Sequence, residues 1–185
     1  LVIIATAGHA ATIEAAYKEG LTDNASPCEL SDFYDCDYIF LCTPVQKNME
    51  YLRLLKGHVC DRCIITDVGS VKTDIHRSHR EVTALGMEAQ FIGGHPMAGS
   101  EKTGLANARE FLLENAYYIL TPGGQIDIPR LTQFMELISS PKSCSIAFST
   151  SYVWYAKDSR VALTKCSLLV PLVRPTTMPL AFCFQ

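Results

Sequence analysis

The sequence predicts an α/β protein built on a doubly wound, mostly parallel sheet, and three observations predict it. Between residues 1 and 139, short apolar runs alternate with longer amphipathic ones, the order of a strand–helix repeat. The apolar runs lack a regular polar alternation, as strands covered on both faces do. The amphipathic runs stop at Gly20, Gly57 and Gly86, the residue type that most often ends a helix.

Taken in order, residues 1–5 (LVIIA) form the first strand and residues 10–19 the helix that Gly20 stops. Residues 38–42 (YIFLC) and 63–67 (CIITD) are the next strands, each followed by a helix, over 47–56 and 73–85. Strands over 90–93 and 116–121 come next. A last helix covers 129–139, where Leu131, Phe134, Met135 and Ile138 recur at i, i+3, i+4, i+7. No internal repeat is present.

The character of the chain changes after residue 140. Residues 1–140 hold 18 acidic and 11 basic residues, whereas 141–185 hold one acidic residue, Asp158, and five basic ones. The stretch SLLVPLVRPTTMPLAFCFQ shows neither helical nor alternating periodicity, and Pro171, Pro175 and Pro179 interrupt both a helix and an interior strand. The expected division is therefore an organised domain over 1–140 and an irregular tail over 141–185, reading as out-of-frame sequence or as a loosely packed, disordered extension.

Bulk composition narrows the class of function. With 185 residues, 48% hydrophobic and 19% charged, the chain can bury one core. A formal charge of −3 supplies no broad basic surface, which argues against nucleic acid or an anionic membrane as partner and for small metabolites. No apolar run reaches 18 residues, and the start LVIIATAGH lacks the basic opening of a secretory signal. The cytoplasm is the expected compartment. Eight cysteines lie scattered, several within apolar runs, as buried reduced thiols rather than a disulfide framework.

Three segments carry chemistry. The strand YIFLCTPV ends in small or rigid residues, and in a doubly wound sheet ligands bind beyond the carboxyl ends of the strands. Cys42, Thr43, Pro44 and Val45 would face a nucleotide there; the alternative is a plain strand-to-helix turn. In CIITDVGSVK a strand runs through Asp67 and Val68 into Gly69 and Ser70 just before a helix. Gly69 lets backbone approach a flat ring and Ser70 offers a hydroxyl beside free amides, although a serine before a helix also serves as a simple cap. The third, FIGGHPMAGSEKTG, spends many glycines and polar residues after an apolar strand and returns little core. Its His95, fixed by Pro96, can accept a proton near neutral pH and is the general-base candidate.

In order, spacing and wording these segments, with AYYILTP at 116–122, resemble the prephenate and arogenate dehydrogenase family from about residue 10 to residue 139, most specifically in HPMAGSEKTG. The resemblance implies a Rossmann-like nucleotide-binding domain. It places Ser70 beside both nicotinamide and substrate, makes His95 the catalytic histidine, and sets Glu101 at the mouth of the substrate pocket as part of a polar gate. Lys72 and Lys102 match basic positions nearby. The implied reaction takes the proton of the ring C4 hydroxyl to His95 and the C4 hydride to NAD, while the ring carboxylate leaves as carbon dioxide.

The chain also departs from that pattern. Members open with a strand and a Gly-x-Gly-x-x-Gly turn that holds the pyrophosphate. Here the first strand is the family's second, so the first βα unit is expected to be missing and the sheet to lack a central member. The ribose-binding acidic residue is absent from ATAGH at 5–9, so NAD rests on family habit and NADP stays open. The family continues into a helical dimerisation domain bearing a further histidine and a substrate-binding arginine. Residues 141–185 contain no histidine, and Arg160 and Arg174 stand in unrelated surroundings. The chain by itself is expected neither to turn over prephenate nor to form the family homodimer.

Two readings compete. Cys60-x2-Cys63, twelve residues, then His76-x2-His79 imitates zinc-finger spacing, but a strand and the Gly-Ser turn intervene and the histidine gap is short. A non-catalytic nucleotide-binding or interaction module keeps the fold and drops the chemistry, leaving HPMAGSEKTG without a purpose. Prephenate and arogenate remain alternative substrates.

Overall fold

The computed structural model describes residues 2–97, 105, 117–124, 126–138, 163–164, 167–170 and 179–184. Strands β1 (Val2–Ala7), β2 (Tyr38–Leu41), β3 (Ile64–Asp67), β4 (Gln90–Pro96) and β5 (Tyr118–Pro122) alternate with helices α1 (Ala10–Lys18), α2 (Val45–Leu55) and α3 (Thr73–Ala84), and α4 (Ile128–Ile138) follows β5. A one-turn 3-10 helix, Leu30–Phe33, joins α1 to β2. Gly86, just past α3, has φ +98, and Gly20 and Gly57 hold the same left-handed backbone after α1 and α2, which supplies the physical reason each helix stops there.

All strands join one sheet. Beyond residue 140 lie β6 (Leu163–Thr164), β7 (Ser167–Val170) and β8 (Pro179–Phe184), and the spatial order is β1-β8-β2-β3-β4-β5-β7-β6. From β1 to β4 all neighbours run parallel, whereas β5, β7 and β6 add antiparallel pairings at one side. Of residues 141–185 the described ones are those of these three strands. The interior place between β1 and β2, which the sequence reading leaves without a strand, is taken by β8, parallel to both. Backbone groups of two strands flanking a gap need partners, and Pro179 stands at the first strand position, where proline is tolerated.

Each face of the sheet is covered, which explains why β2 and β3 are buried at every position. On one face Ile13 of α1 and Phe134, Leu137 and Ile138 of α4 pack with Ala5, Phe40, Ile64 and Ile92. On the other, Leu52 and Leu55 of α2 and Ile75 and Val82 of α3 pack with Ile39, Leu41, Ile65 and Phe91. Each large side chain removed from water in this way contributes roughly 1.5–3 kcal/mol. Among the described residues no helix is long and apolar enough to cross a membrane.

Candidate functional site

The site lies where β2, β3 and β4 end side by side. Register pairs Leu41 with Asp67 and Asp67 with Gly93, so the turns after β2 and β3 and the last residues of β4 emerge at one end of the sheet. This brings together Cys42–Val45, Asp67–Ser70 and His95. Glu101, with Ser100 and Lys102, lies outside the described residues.

The β2–α2 turn is held by a residue that the sequence does not mark. Asn48, fully buried in the first turn of α2, donates through Nδ2 to the Leu41 carbonyl (3.1 Å). Its Oδ1 accepts from the Thr43 amide (3.2 Å) and hydroxyl (2.6 Å). The polar groups of Thr43 are thus engaged within the turn, Cys42 is buried, and the exposed Pro44 directs the chain into the helix. Val45 reaches across to the next turn, since a Cβ on Gly69 would lie 3.0 Å from Val45 Cγ2 and 3.1 Å from Asp67 Oδ2. Only glycine fits this closely without displacing its neighbours.

Asp67, the last residue of β3, has no exposed surface. Its Oδ2 accepts from the Gly69 amide (3.0 Å) and from Lys72 Nζ (2.5 Å), and Oδ1 accepts from the Gly94 amide (3.2 Å). Lys72 Nζ also donates to the Gly69 carbonyl. Burial pushes the Asp67 carboxyl up and the Lys72 ammonium down, each opposed by the attraction of the other. Val68 packs into the core below, while Ser70 stands exposed at the turn before α3.

His95 continues β4 past the end of β3, opposite Ile119 of β5. The two preceding residues are glycine for steric reasons. A Cβ on Gly93 would come 2.5 Å from Thr121 Oγ1 and 2.9 Å from His76 Nε2, and one on Gly94 would collide with the Asp67 carbonyl and the Tyr118 hydroxyl. That hydroxyl donates to the Asp67 carbonyl (3.5 Å) from the other face. Partial burial, then the positive Lys72, hold the His95 imidazole below its ordinary value, which keeps it in the neutral form that can accept a proton.

The zinc-like spacing has a different use. His76 Nε2 lies 3.3 Å from Thr121 Oγ1 and His79 Nε2 lies 3.3 Å from the Ala89 carbonyl. Both rings contact Phe91, His76 edge-on and His79 stacked. Among the described residues no group of three or more His, Cys, Asp or Glu side chains could hold a metal ion.

The turns after β2 and β3 and the end of β4 thus share the strand-end position at which doubly wound sheets hold nucleotides. At Gly69 the Val45 methyl and the Asp67 carboxylate close on the backbone, so the turns after β2 and β3 pack against each other. The described residues include no Gly-x-Gly-x-x-Gly turn of the kind that holds a pyrophosphate.

Residues 2–146 match the family described as prephenate dehydrogenase, nucleotide-binding domain. The chain is 37% identical over 136 residues to a prephenate dehydrogenase of Bacillus subtilis (strain 168), covering 73% of this chain and 36% of that protein. It is 39% identical over 112 residues to one from Lactococcus lactis subsp. cremoris (strain MG1363), covering 60% of this chain and 31% of that protein. Among solved structures, Synechocystis arogenate dehydrogenase aligns with a TM-score of 0.65 at 33% identity, over 78% of this chain and 49% of that one. The chain spans about a third of the length of the curated relatives it matches.

Proposed function

The chain belongs to the prephenate dehydrogenase nucleotide-binding domain family, and from that premise we propose that it forms the nicotinamide side of an NAD(P)-dependent enzyme that oxidatively decarboxylates prephenate to 4-hydroxyphenylpyruvate. The observation that carries the reading is the register of β3 and β4. It sets Ser70 three residues past Asp67 and His95 two residues past Gly93, and Asp67 and Gly93 are direct partners. A bound nicotinamide dinucleotide supplies the hydride acceptor. Pro44, Val45, Gly69 and Ser70 form the wall against which it rests, and the buried Cys42, Thr43, Asp67 and Val68 hold that wall in place from behind.

In this reading His95 takes the proton of the C4 hydroxyl as the C4 hydride departs, and returns it to the phenolate oxygen once the ring carboxylate has left as carbon dioxide. Its depressed basicity leaves it unprotonated at neutral pH, ready for the first step. Ser70 hydrogen-bonds the substrate beside the reacting carbon, and Glu101 gates the pocket mouth. NAD is the cofactor expected from family habit. Arogenate is the second substrate reading, favoured by the likeness to the Synechocystis arogenate dehydrogenase.

Titration of the 15N-labelled chain with NAD, NADP, prephenate and arogenate tests the assignment. Shifts are expected at the amides of 42–45 and 67–70 with the dinucleotide, and at Ser70 and His95 with the ring substrate. If both dinucleotides at millimolar concentration leave 42–45 and 67–70 unmoved, the proposal fails.

A further inference from the structure

Among the described residues Asp67 is the one fully buried carboxylate at the site, and every donor it meets belongs to a segment that carries a reacting group. The parallel ladder between β3 and β4 closes at Asp67 and Gly93. One residue later the Gly94 amide would have no strand to donate to, and Asp67 Oδ1 takes its place at 3.2 Å. The other oxygen accepts from Gly69, next to Ser70, and from Lys72 two residues beyond it. A single side chain therefore ties the turn bearing Ser70 to the strand end bearing His95. Lys72 is fixed in the same act, and its ammonium is the charge that bears on His95.

Packing alone does not explain a charge at this position. A buried ion pair is often no more stabilising than apolar residues of the same volume, so a leucine or valine would serve a core at least as well. Three donors converging from two segments need acceptors on both sides of one planar group, which a carboxylate has. Asparagine offers one oxygen and turns an NH2 toward the remaining donors.

We propose that Asp67 is a positioning residue: it locks the Ser70 turn, the His95 strand end and Lys72 into one relative geometry. The inference rests on the reading of Ser70 and His95 as the reacting pair, but its test needs neither nucleotide nor substrate, so each can fail without the other. In the intact chain the Gly69 and Gly94 amides are expected to exchange with solvent through one shared opening, with protection factors within about tenfold of each other and the same denaturant dependence. Protection differing by more than that would show two independent openings and overturn the proposal.

In Asp67→Asn both amides are expected to exchange at least ~10-fold faster while Ile39 and Leu41 in β2 keep their protection. The His95 ring, followed by its Cε1 proton resonance, is expected to titrate at higher pH than in the wild type. Freed from its anchor, the strand end lets water reach the imidazole and Lys72 swings away, so both causes of its depression relax. An unmoved His95 midpoint, wild-type protection at either glycine, or equal loss of protection throughout β2 would each overturn the proposal. Should the variant not fold, the wild-type comparison decides.

Discussion

His95 shows how much a single residue owes to its neighbours. Its identity as a base candidate is legible from Gly-Gly-His-Pro after an apolar strand, because histidine alone titrates near neutrality without help. The direction of its shift is not legible, since that depends on burial and on Lys72, which arrives from another segment. With its basicity depressed below the ordinary 6.5, hydride transfer in the complete enzyme is expected to hold its plateau down to that pH and to fall as pH drops through the shifted midpoint. His95→Asn should lower kcat by about 10²–10⁴-fold while sparing nucleotide affinity. A rate already falling between pH 8 and 7 would contradict the base assignment. His76 and His79 are likewise depressed, both first by burial. The stability these three histidines contribute is present above 6.5 and is lost as pH falls through their folded values, so thermal melts should show acid destabilisation beginning below that point.

At the scale of elements, the helix stops were legible, whereas the start of α2 and the end of β4 were not. A glycine ends a helix for a local reason, the left-handed backbone, and all three glycines sit where the pattern breaks. Helix α2 begins at Val45, two residues before the periodicity indicates, because Asn48 reaches back to bind Leu41 and Thr43. Strand β4 runs on to Pro96 rather than stopping at Gly93, because β5 pairs with it through His95 and Pro96. The β5 pairing is not visible from the β4 segment alone, and the Asn48 bonds form only once the turn has its folded path. Asn48→Ala is expected to destabilise the fold by roughly 2–3 kcal/mol, since it strands the Leu41 carbonyl and both Thr43 groups in a buried turn. Chemical denaturation should read the loss as a lower midpoint with an unchanged slope; a variant as stable as the parent would show that Asn48 does not hold the turn.

Across the whole molecule, the thiols give the pH dependence at the alkaline end. Burial pushes Cys28 up to about 11 and Cys36 up to about 12, and raises Cys63 well above the ordinary 9.0. Their neutral forms are favoured by folding, so the stability is fully present below pH 9 and is lost as pH rises through the folded values. A melting temperature flat from pH 9 to 11 would contradict this. The same burial agrees with reading the cysteines as reduced core residues, and Cys28, Cys36, Cys42, Cys60 and Cys63 are all free thiols.

By itself the sequence determined the alternation of strands and helices up to Ile138, the helix stops, and the two residues on which the proposed chemistry rests. Those depend on short-range facts: side-chain periodicity, backbone freedom at glycine, and the titration range of imidazole. Only the tertiary structure decided that β8 enters between β1 and β2, that Asp67 spends its carboxylate on Gly69, Gly94 and Lys72, and that Asn48 binds the turn before its own helix. The β8 pairings and the Asp67–Gly94 bond join segments brought together by strand order, and register decides them; the bonds of Asn48 and those of Asp67 to Gly69 and Lys72 close within one turn, whose path is set by the sheet on which it ends.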